Sequence, residues 1–320
     1  MMRRAISRLA AALAVVTGVI ALTFALLHFA PGDPARHLAG PGATDEQLLE
    51  LRRGFGLDRP VAAQFVTWVG HALRGDWGTS IATGRPVSAM LGEAWPATAG
   101  LVGFSLLLSW VLGIVIALIQ VRMPRWADAA VTVGSTTLFA MPGYWLGVLL
   151  MWLLAYRWHL LPAFGMSGLD AEFLPPAARF ADRFRHLALP LITLTLLGAG
   201  GIARFVRGAL VDVRSAPFVT AARARGLRAG AVNRRYLLRN ALIPVITLLG
   251  LSLPALFSGA VFVEAVFAWP GVGRVLVEAV QARDYPVVMA AATVSAILVV
   301  VGNLLADLGQ AWSDPRLRHA

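Results

Sequence analysis

The sequence contains no cysteine and no lysine, and its 28 basic side chains are all arginine. Without cysteine there is no disulfide framework, no thiolate nucleophile and no thiolate-ligated metal. Without lysine there is no Schiff-base amine and no phosphate-gripping lysine of a P-loop, so no nucleotide-hydrolysing site of that kind is expected. Charge is also scarce. Only 14% of the 320 residues are charged, against roughly 25% in soluble domains. The six histidines, at 28, 37, 71, 159, 186 and 319, are scattered, and neither an HExxH pair nor a GxSxG elbow is present. The expectation is a chain that is not an enzyme, with no cofactor, no metal and no catalytic residue.

What the chain has in place of charge is apolar length. Hydrophobic residues make up 58% of it. Six runs carry no Asp, Glu or Arg: Leu9–Gly32, Ala94–Val121, Ala129–Tyr156, His186–Ala203, Asn240–Val263 and Tyr285–Ala306. Each is close to the roughly 20 residues that cross a bilayer as a helix. The predicted class is an all-α integral membrane protein with six transmembrane helices. An even number of spans puts both termini on one side, and arginine asymmetry chooses the side. Arg3, Arg4 and Arg8 precede the first run, and nine arginines fall between 204 and 239. Residues 33–93 hold six arginines against seven acids. The N and C termini and the segment of about 204–240 are therefore expected in the cytoplasm. That orientation suits a multi-pass membrane protein.

The chain divides into 1–32, an N-terminus and first span; 33–93, an external loop; and 94–320, a five-helix core. The first run is too long for a signal-peptide core, and Pro31-Gly32-Asp33-Pro34 stands where a small-residue cleavage site would be. It is read as an uncleaved helix. In the external loop, Thr44 before Asp45 and Glu46 marks a helix N-cap. Gly54 and Gly56 end that piece, and Val61, Phe65, Trp68, Val69 and Ala72 follow at helical spacing. Pro142 with Gly143, Pro190, Pro244 and Pro254 interrupt spans, where freed backbone groups need a neighbour or a cavity. Glu264 and Asp307 are acids at span ends. Glu264 is open to two readings, gate or interfacial residue, and Pro142 is a candidate for the translocation path.

The arginine-rich segment has internal order. Pro217 suits a first helical turn. Phe218, Ala221, Ala222 and Arg225 fall on one helical face, with the two alanines making it smooth enough for close approach. Gly226 suits a left-handed helix stop, and a second helical piece covers roughly Ala229–Leu238. Three roles fit such a loop: an anionic-lipid anchor, a nucleic-acid site or a docking element for a soluble partner. Base-stacking aromatics are nearly absent there, which argues against nucleic acid.

Thr220-Ala221-Ala222, then Gly226, then Arg239-Asn240-Ala241-Leu242-Ile243-Pro244, resembles the cytoplasmic loop of permease subunits in ATP-binding-cassette importers, specifically the dipeptide and oligopeptide branch. Thr220 stands where many importers have glutamate. The resemblance continues through Gly56-Leu57-Asp58-Arg59-Pro60, Arg74-Gly75-Asp76-Trp77-Gly78-Thr79-Ser80, Phe262-Val263-Glu264-Ala265-Val266-Phe267 and Arg283-Asp284-Tyr285-Pro286, and so covers nearly the whole chain. It implies a type I importer fold and a non-catalytic permease subunit. It implies as partners a second homologous permease, two ATPase subunits, an external substrate-binding protein and membrane lipid. It implies an ATPase-coupling site at Phe218, Thr220, Ala221, Ala222, Arg223, Arg225 and Gly226. Di- or oligopeptides are the implied cargo, with nickel chelates or glutathione as alternatives. An ion-coupled secondary transporter is the other class considered. It calls for mid-membrane charges and repeated halves, and the sequence shows neither.

Overall fold

The computed structural model describes residues 2–29, 34–39, 42–54, 56–214, 216–232 and 258–313. Helices dominate: α1 (Met2–Phe29), α2 (Pro34–Ala39), α3 (Asp45–Gly54), α4 (Val61–Ala72), α5 (Val87–Gln120), α6 (Arg125–Ala140), α7 (Gly143–Leu150), α8 (Pro176–Arg214), α9 (Pro217–Ala224), α10 (Ala229–Val232), α11 (258–266), α12 (Val272–Gln281) and α13 (Tyr285–Ser313). Four of them are long and apolar enough to cross a membrane among the described residues. A fifth is gained if the bent pair α6 and α7 counts as one. The apolar run Asn240–Val263 lies outside the described residues up to 257.

Two compact units divide the chain. One comprises Met1–Thr98 with Pro270–Val300, the other Ala99–Trp269 with Val301–Ala320. In the first, α1 carries the window Ala10–Phe29 at mean hydropathy 2.5, none of it buried, which suits a helix whose solvent is lipid. The N-cap read at Thr44 is present: the Gln47 amide N–H donates to Thr44 Oγ1 (3.4 Å), and the Thr44 N–H donates to Gln47 Oε1 (3.1 Å). This reciprocal capping box satisfies two first-turn donors. At the other end of α3, Gly56 at φ +66° turns the chain while the Leu57 N–H returns to the Arg52 carbonyl, a Schellman stop. Val87, Leu91, Ala94, Val272, Ala279 and Val287 form this unit's core. Thr98 Oγ1 accepts the Val272 N–H at 2.8 Å and so caps α12.

The second unit is built on α8, whose most apolar window is 56% buried. It packs against α6 at a glycine pair. A Cβ placed on Gly200 would lie 2.5 Å from the Ser135 carbonyl oxygen, and one on Gly201 would lie 2.9 Å from the Phe139 ring. In lipid no hydrophobic force draws helices together, so small residues that let backbones approach supply the contact.

The third apolar run does not form one straight span. Met141 is extended (φ −71°, ψ 137°), as a residue before proline prefers, and α6 therefore stops at Ala140. The Pro142 carbonyl accepts the Trp145 and Leu146 N–H groups and starts α7. The two arms of the bend, Arg125–Ala140 and Gly143–Arg157, meet at 106°. Beyond α7 the chain widens into a π-helical turn, Met151–Arg157.

Candidate functional site

The site begins where α8 ends. Helix α8 closes at Arg214, the Ala216 carbonyl accepts the Val219 and Thr220 N–H groups at the start of α9, and α9 closes at Ala224. Gly226 follows at φ +76°, and the Leu227 N–H reaches back to the Ala222 carbonyl at 3.4 Å. The stop read at Gly226 is therefore in place. Of the second helical piece, α10 covers Ala229–Val232, and Asn233 onward lies outside the described residues.

One correction concerns the face of α9. The sequence placed Ala222 with Phe218, Ala221 and Arg225 on an approachable surface. In the structure Ala222 is 3% exposed and Val219 is fully buried, both in a cluster with Ala117, Ile202, Val206, Leu210 and Val232. Alanine carries too little hydrophobic area to set the helix's rotation, and Val219 sets it. Phe218 remains 43% exposed. Thr220, Ala221, Arg225 and Gly226 are exposed beside it. Arg223 is part of α9 by its backbone. The outward surface thus carries an aromatic ring, a hydroxyl, a methyl group and a guanidinium.

Three of the nine arginines make contacts within the unit. Arg204 lies over the Phe139 ring at 5.0 Å. Arg207 Nε donates to Asp128 Oδ1 at 2.6 Å, and its Nη2 donates to Asp128 Oδ2. Arg214 Nη1 donates to the Val121 carbonyl at 3.2 Å. These three tie the last turns of α8 to α6 and to the end of α5.

The two path candidates sit in the same unit. Pro142 makes the bend. Just beyond it, a Cβ on Gly143 would meet Leu197 at 3.2 Å and Val263 at 3.9 Å, and one on Gly147 would meet the Phe267 ring at 3.2 Å. Glu264 on α11 is fully buried, so it is not a solvated interfacial residue. Residues 264–269 close α11 without glycine: the Trp269 N–H returns to the Glu264 carbonyl at 2.9 Å, with Ala268 at φ +50°.

Sequence reasoning missed a second polar centre, in the other unit. Asp284, 2% exposed, accepts the Ser80 hydroxyl, the Ile81 N–H at 3.0 Å and the Ala82 N–H at 3.3 Å. It joins the motifs at 74–80 and 283–286. Nearby, His71 Nδ1 lies 2.8 Å from Asp76 Oδ2, and the Gly78 N–H donates to Asp76 Oδ1 at 3.0 Å. The Gly78 amide first, and His71 second, hold the Asp76 carboxyl below the usual carboxylate range. Among the described residues no group of three or more His, Asp and Glu side chains is placed to hold a metal ion.

Long apolar helices, a bent helix pair and a short helix carried past the end of α8 define a membrane-embedded helical protein with a presented surface at one end. Its fold is that of importer membrane subunits. The solved inward-facing MetNI methionine ABC transporter matches with a TM-score of 0.53 at 18% identity, over 70% of this chain and 96% of that one. The chain belongs to the binding-protein-dependent transport system inner membrane components, whose family description matches residues 109–319, with the N-terminal part of such components matching 1–102. It is 40% identical over 318 residues to the "Probable D,D-dipeptide transport system permease protein DdpB" of Escherichia coli (strain K12), covering 95% of this chain and 94% of that protein. It is 35% identical over 307 residues to the "Oligopeptide transport system permease protein AppB" of Bacillus subtilis (strain 168), covering 95% and 96%. It is therefore an inner-membrane permease component of an ABC importer.

Proposed function

We propose that this permease carries di- or oligopeptides inward, forming half of a translocation path beside a second, homologous permease. Two ATPase subunits supply the energy, and an external binding protein delivers the cargo. The names of its relatives support the cargo class. The observation that carries the coupling role is the construction of α9. Its Val219–Ala222 face is buried on the unit that holds α8, and its Phe218, Thr220, Ala221 and Arg225 face is open. A short helix held on one side and bare on the other transmits a push from a soluble partner into the spans. In this reading the chain has six spans with both termini cytoplasmic, divided as 1–32, 33–93 and 94–320. The segment 204–240 couples to the ATPase, while Glu264 and Pro142 border the path.

Uptake decides the cargo. Cells carrying the complete importer should accumulate labelled dialanine, D-alanyl-D-alanine or glutathione in an ATP-dependent manner that a protonophore does not abolish while ATP is maintained. Accumulation that tracks the proton gradient instead of ATP would mean an ion-coupled carrier. Accumulation of glutathione alone would move the cargo within the family.

Topology is tested on a clean background, because the native chain has no cysteine. Leu227→Cys should resist a membrane-impermeant maleimide in intact cells and react after permeabilisation. Glu46→Cys should react in intact cells. The opposite pattern overturns the orientation.

A further inference from the structure

The open face of α9 receives a push, and something must carry it to the bent span. Asp128 lies in the first turn of α6 and receives both a Nε and a Nη2 hydrogen bond from Arg207. This fork-to-fork geometry fixes direction as well as distance. The pair is only partly exposed, 30% for Arg207 and 19% for Asp128. Gln120, at the end of α5 and 2% exposed, donates to Thr132 Oγ1 at 3.2 Å, and Thr132 Oγ1 donates to the Asp128 carbonyl at 2.8 Å. The ends of α5 and α6 are thereby bound together and then to α8. On α8, Arg207 sits between Val206 and Leu210, the residues that share a buried cluster with Val219 and Ala222 of α9.

We propose that the Asp128–Arg207 pair is the fastening through which displacement of α9 reaches the Pro142 bend. Among the contacts described above, helix α6 is held to α8 at two places. One is the glycine contact, where the Ser135 carbonyl meets Gly200 and the Phe139 ring meets Gly201 and Arg204. That contact is a close crossing without a directional hydrogen bond, about which a helix can rock. The other is the Asp128–Arg207 pair at the start of α6. With both, α6 follows α8 as one lever whose far end is the bend at Pro142. With the crossing alone, the start of α6 pivots, and α7 receives the motion only through its own contact with α8 at Gly143 and Leu197. Asp128 and Arg207 are thus positioning residues, acting by holding α6 to α8. The inference rests on the coupling role given above for α9.

The test uses the complete importer, with binding protein, second permease and ATPases, in proteoliposomes. The cargo is whichever of dialanine, D-alanyl-D-alanine or glutathione the unmodified complex imports. Cargo imported per ATP hydrolysed is compared across variants. Asp128→Asn should keep the ATPase bound and hydrolysing, yet import about tenfold less per ATP, a size typical of coupling between distant sites. Arg207→Lys, which keeps the charge but loses the fork, should fall between. The exchange Asp128→Arg with Arg207→Asp should recover most of the ratio. Equal import per ATP in Asp128→Asn and the unmodified complex overturns the inference. So does loss of the ATPase from both Asp128→Asn and the exchanged variant, since the pair would then hold the fold and not the stroke. Failure of the unmodified complex to import any of the three cargoes defeats the proposed function, and this inference with it.

Discussion

Gly226→Val should leave the protein in the membrane at near-normal amounts and strip it of most of its ATPase. Gly226 lies at φ +76°, and among the described residues no atom beyond its chain neighbours comes within 4 Å of where its Cβ would stand. A clash therefore plays no part, and the effect is one of backbone conformation. An L-residue held in that region is strained, and a β-branched one most of all. Strain of about 1–3 kcal/mol is too small to unfold packed spans. The same energy in a docking equilibrium is roughly five- to 150-fold. The series is graded: asparagine, which tolerates the left-handed region, should retain most of the partner, alanine less and valine least.

Ala222→Asp should fail differently, because Ala222 is buried beside Val219. A carboxylate there has to leave its cluster, so α9 should detach from α8 and become open to trypsin at Arg225. Copurification of the ATPase, uptake and limited proteolysis separate these outcomes. If Gly226→Val keeps partner and transport, while replacing Arg223, Arg225 and Arg228 by glutamine impairs membrane placement, the loop is a lipid anchor and the coupling role is wrong.

Gly200→Val should be the most damaging single change in the second unit. Its Cβ would lie 2.5 Å from the Ser135 carbonyl oxygen and 3.4 Å from the Ser135 carbonyl carbon. Both are backbone atoms, so no rotamer change relieves the contact and α6 has to move. Overpacking usually costs about 1–3 kcal/mol and sometimes more. Here it also opens the only close backbone crossing described above between α6 and α8. Gly201→Ala should be milder, because the Phe139 ring it meets can rotate, at the expense of the Arg204 cation–π contact. Gly208→Ala has nothing within 4 Å and lies inside α8, so it should gain about 0.5–1 kcal/mol of helix propensity. Thermal stability followed by size-exclusion profile in detergent ranks the three. A Gly200→Val protein as heat-stable as Gly208→Ala would show that the α6–α8 crossing is not as close as described.

Sequence alone determined whatever depends on near neighbours along the chain. The apolar runs that became α1, α5, α8 and α13 were legible because crossing a bilayer requires length and low charge in one continuous stretch. The Thr44 cap, the Gly226 stop and the interruption at Pro142 were legible because capping, left-handed turns and proline sterics act within four residues. Family membership was legible for a similar reason, through short motifs in a fixed order. The size of the bend at Pro142 was not, since proline ends a helix but does not aim the next one. Nor was the inward turn of Ala222: periodicity defines the faces of α9, and only packing against α8 chose which was buried. The Asp128–Arg207 fork joins positions 79 apart, and the Ser80–Asp284 bond joins positions 204 apart. Charge and hydroxyl patterns at those distances are compatible with many pairings. Only the tertiary structure selected these two, because a carboxylate drawn out of water takes whichever donors the packed helices bring within reach.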